Sequence, residues 1–143
     1  MYCGAGTITL MMARHCRSAV GIEIVPAAVE NARANALRNG IGNAEFHAGK
    51  AEELLPAMVR EGLKSDVIVV DPPRTGLEEE VITAIAEAAP DRVVYVSCNP
   101  ATLARDAARF LESEYQTNKV QPVDMFCWTS GIEMVALLSR RPS

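Results

Sequence analysis

The chain has 143 residues, 49% of them hydrophobic and 22% charged, the size and balance of one globular domain with a sizeable core. Its net charge of −4 argues against a free-standing nucleic-acid binder, whose grip on a phosphate backbone comes from Lys and Arg. No apolar run approaches the roughly 20 residues that a membrane helix needs.

The start, Met1-Tyr2-Cys3-Gly4, has neither a basic leader nor an apolar stretch with a cleavage site, so the expected compartment is the cytoplasm, with reduced thiols. Cysteines stand at 3, 16, 98 and 127 without a CxxC pair, and His15 and His47 fall at no metal-ligand spacing. No metal is expected.

Short β-branched runs alternate with alanine-rich stretches of helical length, which predicts an α/β sheet with helices on its faces. In chain order the pattern predicts a helix over Thr7 to His15 and a strand over Ala19 to Ile24. A helix over Pro26 to Asn39, a strand over Ala44 to Ala48 and a helix over Glu52 to Arg60 follow. Next come a strand over Val67 to Val70, a helix over Glu78 to Ala88, a strand over Val93 to Ser97 and a helix over Ala101 to Leu111. Two strands, over Val120 to Met125 and Ile132 to Leu138, end the chain.

Pro26 suits a first helical turn, and Asn39-Gly40 suits its end. Val67 to Val70 and Val93 to Val96 are continuous apolar runs, as in strands covered on both faces. The last two strands have no helix between them, which predicts an antiparallel hairpin with an irregular loop from Phe126 to Gly131. The fold class is therefore doubly wound α/β: a mostly parallel sheet with a terminal antiparallel hairpin and a ligand crevice at the carboxyl ends of its first strands. A helix beginning at Thr7 calls for a buried strand before it, of which only Met1 and Tyr2 are present. The chain thus reads as one domain, residues 1–143, truncated at its amino end and lacking a central first strand.

Candidate site residues cluster at the strand ends. Tyr2-Cys3-Gly4-Ala5-Gly6-Thr7 puts two glycines where a strand turns into a helix, letting backbone approach a ligand closely; a purely structural turn is the alternative. A nicotinamide-type GxGxxG would need glycine where Thr9 stands. In Gly21-Ile22-Glu23 an acidic residue ends the next strand about 20 residues on, where a carboxylate can accept the ribose hydroxyls of an adenosine cofactor; an exposed strand-end Glu is the plain alternative. Asp71-Pro72-Pro73-Arg74 follows a buried strand, and its two prolines stiffen the loop, as suits a pocket wall or simply a rigid turn. Cys98, in Tyr95-Val96-Ser97-Cys98-Asn99-Pro100, leaves a strand end and faces the crevice, which favours a reactive thiol over core filler. Packing is the expected role of Cys3 and Cys16. Glu133 precedes the apolar run Met134 to Leu138 and is either aimed toward Cys98 or simply solvated.

Taken together, YCGAGT, GIE, DPPRTG, YVSCNPATLARD and DMF followed by T and IE resemble the RNA uracil-5-methyltransferases over essentially the whole chain. SCNPATLARD with DMF looks closer to the ribosomal-RNA branch than to the transfer-RNA branch. The resemblance implies the Rossmann-like class I methyltransferase fold, S-adenosylmethionine as cofactor and RNA as substrate. By similarity, Tyr2, Gly4, Gly6, Glu23 and Asp71 bind the cofactor, Thr7 and Lys50 occupy further cofactor-side positions, Cys98 is the nucleophile and Glu133 the base. Family members commonly read Phe-Pro-x-Thr-x-His-x-Glu in the late loop; here Cys127 replaces the proline and Gly131 the histidine. They also carry an amino-terminal RNA-binding part, which would account for the acidic charge of this segment. Three other readings compete. They are a cofactor-binding module without catalysis, a small-molecule methyltransferase, and an oxidoreductase, the last disfavoured by the Gly-x-Gly-x-x-Thr spacing.

Overall fold

The computed structural model describes residues 1–125, 128 and 131–141. Eleven elements follow in the order α1 (Thr7–Ala13), β1 (Ala19–Glu23), α2 (Pro26–Arg38), β2 (Ala44–Ala48), α3 (Ala51–Arg60), β3 (Val67–Val70), α4 (Glu79–Ala88), β4 (Arg92–Ser97), α5 (Pro100–Glu112), β5 (Tyr115–Val123) and β6 (Glu133–Arg140). Among the described residues no helix is long and apolar enough to cross a membrane. The chain forms two compact units, Met1–Leu54 and Leu55–Ser143, the division falling within α3.

In the first unit β1 and β2 pair in parallel from Ala19 opposite Ala44 to Glu23 opposite Ala48. Leu10 of α1, Val29, Ala32 and Ala36 of α2, and Phe46 of β2 form one buried cluster. The α2 residues recur at the three- and four-residue spacing that aligns side chains on one helix face. Pro26 occupies the first turn of α2. At the other end Gly40 turns left-handed (φ 65) and Ile41 N–H donates to Ala36 O at 2.9 Å, satisfying a carbonyl that the helix leaves without an internal partner.

The second unit holds a four-stranded sheet in the order β3-β4-β6-β5. β3 and β4 are parallel, and β6 runs antiparallel to both β4 and β5. The terminal hairpin is therefore present. The strands fall into two sheets, with no strand among the described residues pairing with both β1 and β3, the mid-sheet gap in the ladder that the sequence leads one to expect. Val70, Val81, Ile85, Val93, Tyr95, Phe110, Tyr115 and Leu138 have side chains with almost no exposure, each large apolar one contributing about 1.5–3 kcal/mol through burial. Phe110 meets Tyr115 edge-on with ring centroids 5.9 Å apart, and the Tyr115 hydroxyl donates to Pro90 O at 2.7 Å.

α3 runs through Pro56, within the predicted helix, forgoing one backbone bond. β5 begins at Tyr115 rather than Val120, and its polar residues Gln116 to Lys119 are exposed. It is an edge strand, so pairing to β6 sustains it without apolar alternation. A register shift between Thr117 and Lys119, the lysine itself and Pro122 blunt that edge against pairing with another chain.

Candidate active site

In the first unit the predicted glycine turn packs against β1. Cys3 N–H donates to Ile22 O at 3.1 Å, and Gly6 N–H donates to Cys3 O at 2.8 Å. Tyr2, Gly4 and Gly6 all have positive φ, at 58, 52 and 88°. For Tyr2 that conformation is strained, a kind of cost that concentrates at functional turns. A Cβ on Gly6 would lie 3.0 Å from the Ala32 Cβ and 3.1 Å from the Phe46 ring, whereas beside Gly4 nothing lies within 4 Å. Gly6 thus has no room for a side chain, and Gly4 leaves its backbone approachable.

Glu23 ends β1 with both carboxylate oxygens on backbone donors. Oε2 accepts from Gly4 N–H at 2.9 Å, and Oε1 accepts from Val25 N–H at 3.1 Å. A carboxylate offers about four acceptor positions, so each oxygen keeps capacity for a hydroxyl. Gly49 N–H donates to Glu23 O at 2.9 Å, which brings the end of β2 alongside. Lys50 follows, its Nζ 3.3 Å from Glu53 Oε1. Thr7 is exposed at the start of α1. This arrangement fits an adenosine-bearing ligand: an approachable glycine backbone lies against a carboxylate already oriented at a strand end.

Burial pushes the Cys3 thiol above its ordinary pKa, and Glu23 adds to the effect, in keeping with a packing role. Cys16 is exposed rather than packed, because α1 ends at Ala13, before the predicted His15.

In the second unit Asp71 is the first residue past β3, Cys98 the first past β4, and Glu133 the first of β6. Val70 pairs with Tyr95 in the parallel register and Ser97 with Met134 in the antiparallel one. Cys98 therefore leaves the sheet where Glu133 enters it, and Asp71 emerges at the same end. Cys98 is a half-buried free thiol. Its turn is pinned by Ser97, whose Oγ accepts from Asn99 N–H at 3.1 Å. Asn99 caps α5 by accepting from Ala101 N–H at 3.0 Å. Cys127, together with Phe126, Thr129 and Ser130 of the expected loop, lies outside the described residues.

Burial, and next the facing Glu133 carboxylate, hold the Asp71 carboxyl above its ordinary pKa. The folded state then binds that proton more tightly than the unfolded chain does. The resulting stability is present at low pH and is lost as pH rises through the raised pKa. Asp71→Asn is accordingly expected to stabilise the fold at neutral pH by no more than about 1 kcal/mol, since the carboxyl is only partly withdrawn from water and solvent screens it. The gain should shrink as pH falls into the carboxylate range. Calorimetric scans at about pH 7 and pH 4 check this; a gain independent of pH would contradict it.

Sequence reasoning missed Arg105 and Asp106. Asp106 is fully buried among Tyr95, Leu77 and Arg105. The available signal was its position on the apolar stripe of α5, between Leu103 and Phe110, where a carboxylate needs built-in partners. A cavity of about 480 Å³ bordered by Leu63, Lys64, Asp66, Glu87 and Asp91 lies at the opposite end of β3 and β4 and contains none of the candidate residues.

Residues 1–141 match the family described as tRNA (Uracil-5-)-methyltransferase. An uncharacterized RNA methyltransferase of Clostridium acetobutylicum is 49% identical over 139 residues, covering 97% of this chain and 30% of that protein. Another, from Halalkalibacterium halodurans, is 52% identical over 137 residues, covering 96% and 30%. The chain thus spans less than a third of the length of these relatives. Among solved structures, the Pyrococcus abyssi tRNA (uracil-54, C5)-methyltransferase in complex with S-adenosyl-L-homocysteine is 34% identical. Its TM-score is 0.82, with coverage of 96% of this chain and 33% of that one. A rRNA methylase from Streptococcus thermophilus shares the fold at 14% identity and a TM-score of 0.75, covering 97% and 82%.

Proposed function

Because the chain belongs to the tRNA (uracil-5-)-methyltransferase family, we propose that it is the catalytic domain of an enzyme that methylates C5 of a uridine in RNA. The observation that carries this reading is the β4–β6 register, Ser97 opposite Met134, with Cys98 and Glu133 one residue beyond. A thiol and a carboxylate at one strand end are what addition to, and elimination from, a pyrimidine ring require.

S-adenosylmethionine, when bound, supplies an electrophilic methyl group. Tyr2, Gly4, Gly6, Thr7, Glu23, Lys50 and Asp71 are the residues proposed to hold it, with Glu23 accepting from ribose hydroxyls. The Cys98 thiolate forms a bond to uracil C6, which pushes electron density onto C5 and makes that carbon nucleophilic. Once C5 carries the methyl group, Glu133 accepts the C5 proton. The C5–C6 double bond re-forms, the sulfur–C6 bond breaks and the thiolate is restored. The target base must leave its stack to reach these residues.

Within the family, the sequence SCNPATLARD followed by DMF supports ribosomal RNA as the substrate. The complete protein, incubated with methyl-labelled S-adenosylmethionine and either ribosomal or transfer RNA, is expected to place label on C5 of uridine in ribosomal RNA. Mass spectrometry of the digested RNA reads the result. Label in transfer RNA alone would overturn the substrate assignment, and no label in any RNA would overturn the reading itself.

A further inference from the structure

Helix α5 and its N-cap grip the loop that follows β3 at three positions. Asn99 Nδ2 donates to Arg74 O at 3.2 Å, Arg105 Nη2 donates to Thr75 O at 2.8 Å, and Leu77 N–H donates to Asp106 Oδ2 at 2.8 Å. Between them Gly76 is buried with φ +84, and a Cβ there would collide with Arg105 Nη2 and Asp106 Oδ2. The loop backbone therefore packs directly against side chains of the helix.

Asp106 is the hub. Its Oδ2 also accepts from the Tyr95 hydroxyl in β4 at 2.7 Å, and its Oδ1 accepts from Arg105 Nε at 2.8 Å, with Arg105 Nη2 at 2.7 Å. Arg109 Nη1 stands 3.8 Å away. One fully buried carboxylate thus joins β4, α5 and the loop carrying Asp71, while α5 starts two residues after Cys98.

Arg105 differs from its partner. Its side chain is 44% exposed, so it contributes little to the core, yet its fork spans Asp106 and the Thr75 carbonyl. A planar guanidinium can hold both at once, whereas a lysine ammonium lacks that fixed geometry.

We propose that Arg105 is a positioning residue: through Asp106 and Thr75 it fixes the Asp71 loop relative to the Cys98 turn, and so sets the alignment of the two sides of the methyl-transfer reaction. This rests on the function proposed above. Misplacement of reacting groups by about 1 Å costs on the order of a hundredfold in rate, so a residue outside the site can control it.

The test is single-turnover methylation of RNA by the complete enzyme carrying Arg105→Ala or Arg105→Lys. RNA affinity, S-adenosylhomocysteine affinity and thermal midpoint are measured in parallel. Arg105→Ala is expected to slow methyl transfer about 10- to 100-fold at saturating RNA and cofactor and to weaken S-adenosylhomocysteine binding, with RNA affinity within about twofold of the unaltered enzyme. Arg105→Lys should recover part of the rate. An unchanged rate and cofactor affinity in Arg105→Ala overturns the proposal. So does a loss confined to RNA affinity, which would make Arg105 an RNA contact. Should the unaltered enzyme methylate no RNA, the function reading fails instead. S-adenosylhomocysteine affinity then judges the clamp alone: a weakening in Arg105→Ala supports it, and an unchanged value overturns it.

Discussion

In the complete enzyme, Cys98→Ala is expected to lower uridine methylation more than about a thousandfold, as removal of a covalent nucleophile does elsewhere, and to leave no RNA–protein adduct. The structural basis is the position of Cys98 immediately past β4, in a turn held by Ser97 and by the Asn99 cap of α5. Alanine preserves that turn, because its bonds involve Ser97 and the backbone and side chain of Asn99. Lost activity would therefore report on the sulfur alone. Glu133→Gln gives the opposite signature. Glutamine keeps the side-chain length but cannot accept the C5 proton, so methyl transfer proceeds and the adduct accumulates. Denaturing gels with labelled RNA separate the cases. An adduct formed by Cys98→Ala would transfer the nucleophile role to another residue, and rapid turnover by Glu133→Gln would remove Glu133 as the base.

The second large effect concerns stability. Asp106→Ala is expected to destabilise the protein by about 2–5 kcal/mol, because the Tyr95 hydroxyl and the Leu77 N–H both lose their acceptor in a buried setting, at about 1–3 kcal/mol each. Removing the facing hydroxyl instead, in Tyr95→Phe, leaves the carboxylate its other donors and should cost about 1 kcal/mol. Denaturant melts of the two variants check the ranking. Equal midpoints would mean that the Leu77 and Arg105 bonds add nothing to the fold.

Much of this arrangement was legible in the residues themselves. Val67–Val70 and Ala44–Ala48 match the predicted strands residue for residue; the first is a continuous apolar run, and the second alternates apolar with polar residues. The strand-end positions of Glu23, Asp71 and Cys98 followed directly, because each closes such a run. β5 was half missed: its first residues are polar, and its existence depends on pairing with β6, a nonlocal fact that carries no local periodicity. The Asp106 hub was illegible for a similar reason. A carboxylate on an apolar helix stripe shows that partners must exist, but not that they are a tyrosine one strand back and a backbone N–H from a loop 29 residues upstream. Likewise Glu23 was read as a ligand contact, and its two bonds to the backbone of its own fold were not foreseen.

Those two bonds change how mutagenesis at the β1 end must be interpreted. Gly4 and Val25 lie on opposite sides of the strand end in sequence, and the Glu23 carboxylate ties both. The fold's own backbone thus orients that side chain, so a ligand arriving there would not bear the whole entropy of fixing it. Truncating Glu23 would remove a brace of the glycine turn together with any hydroxyl contact. The affinity lost in such a variant would exceed what the ligand's own hydrogen bonds contribute, and the missing acceptor would be counted twice if the whole loss were assigned to recognition.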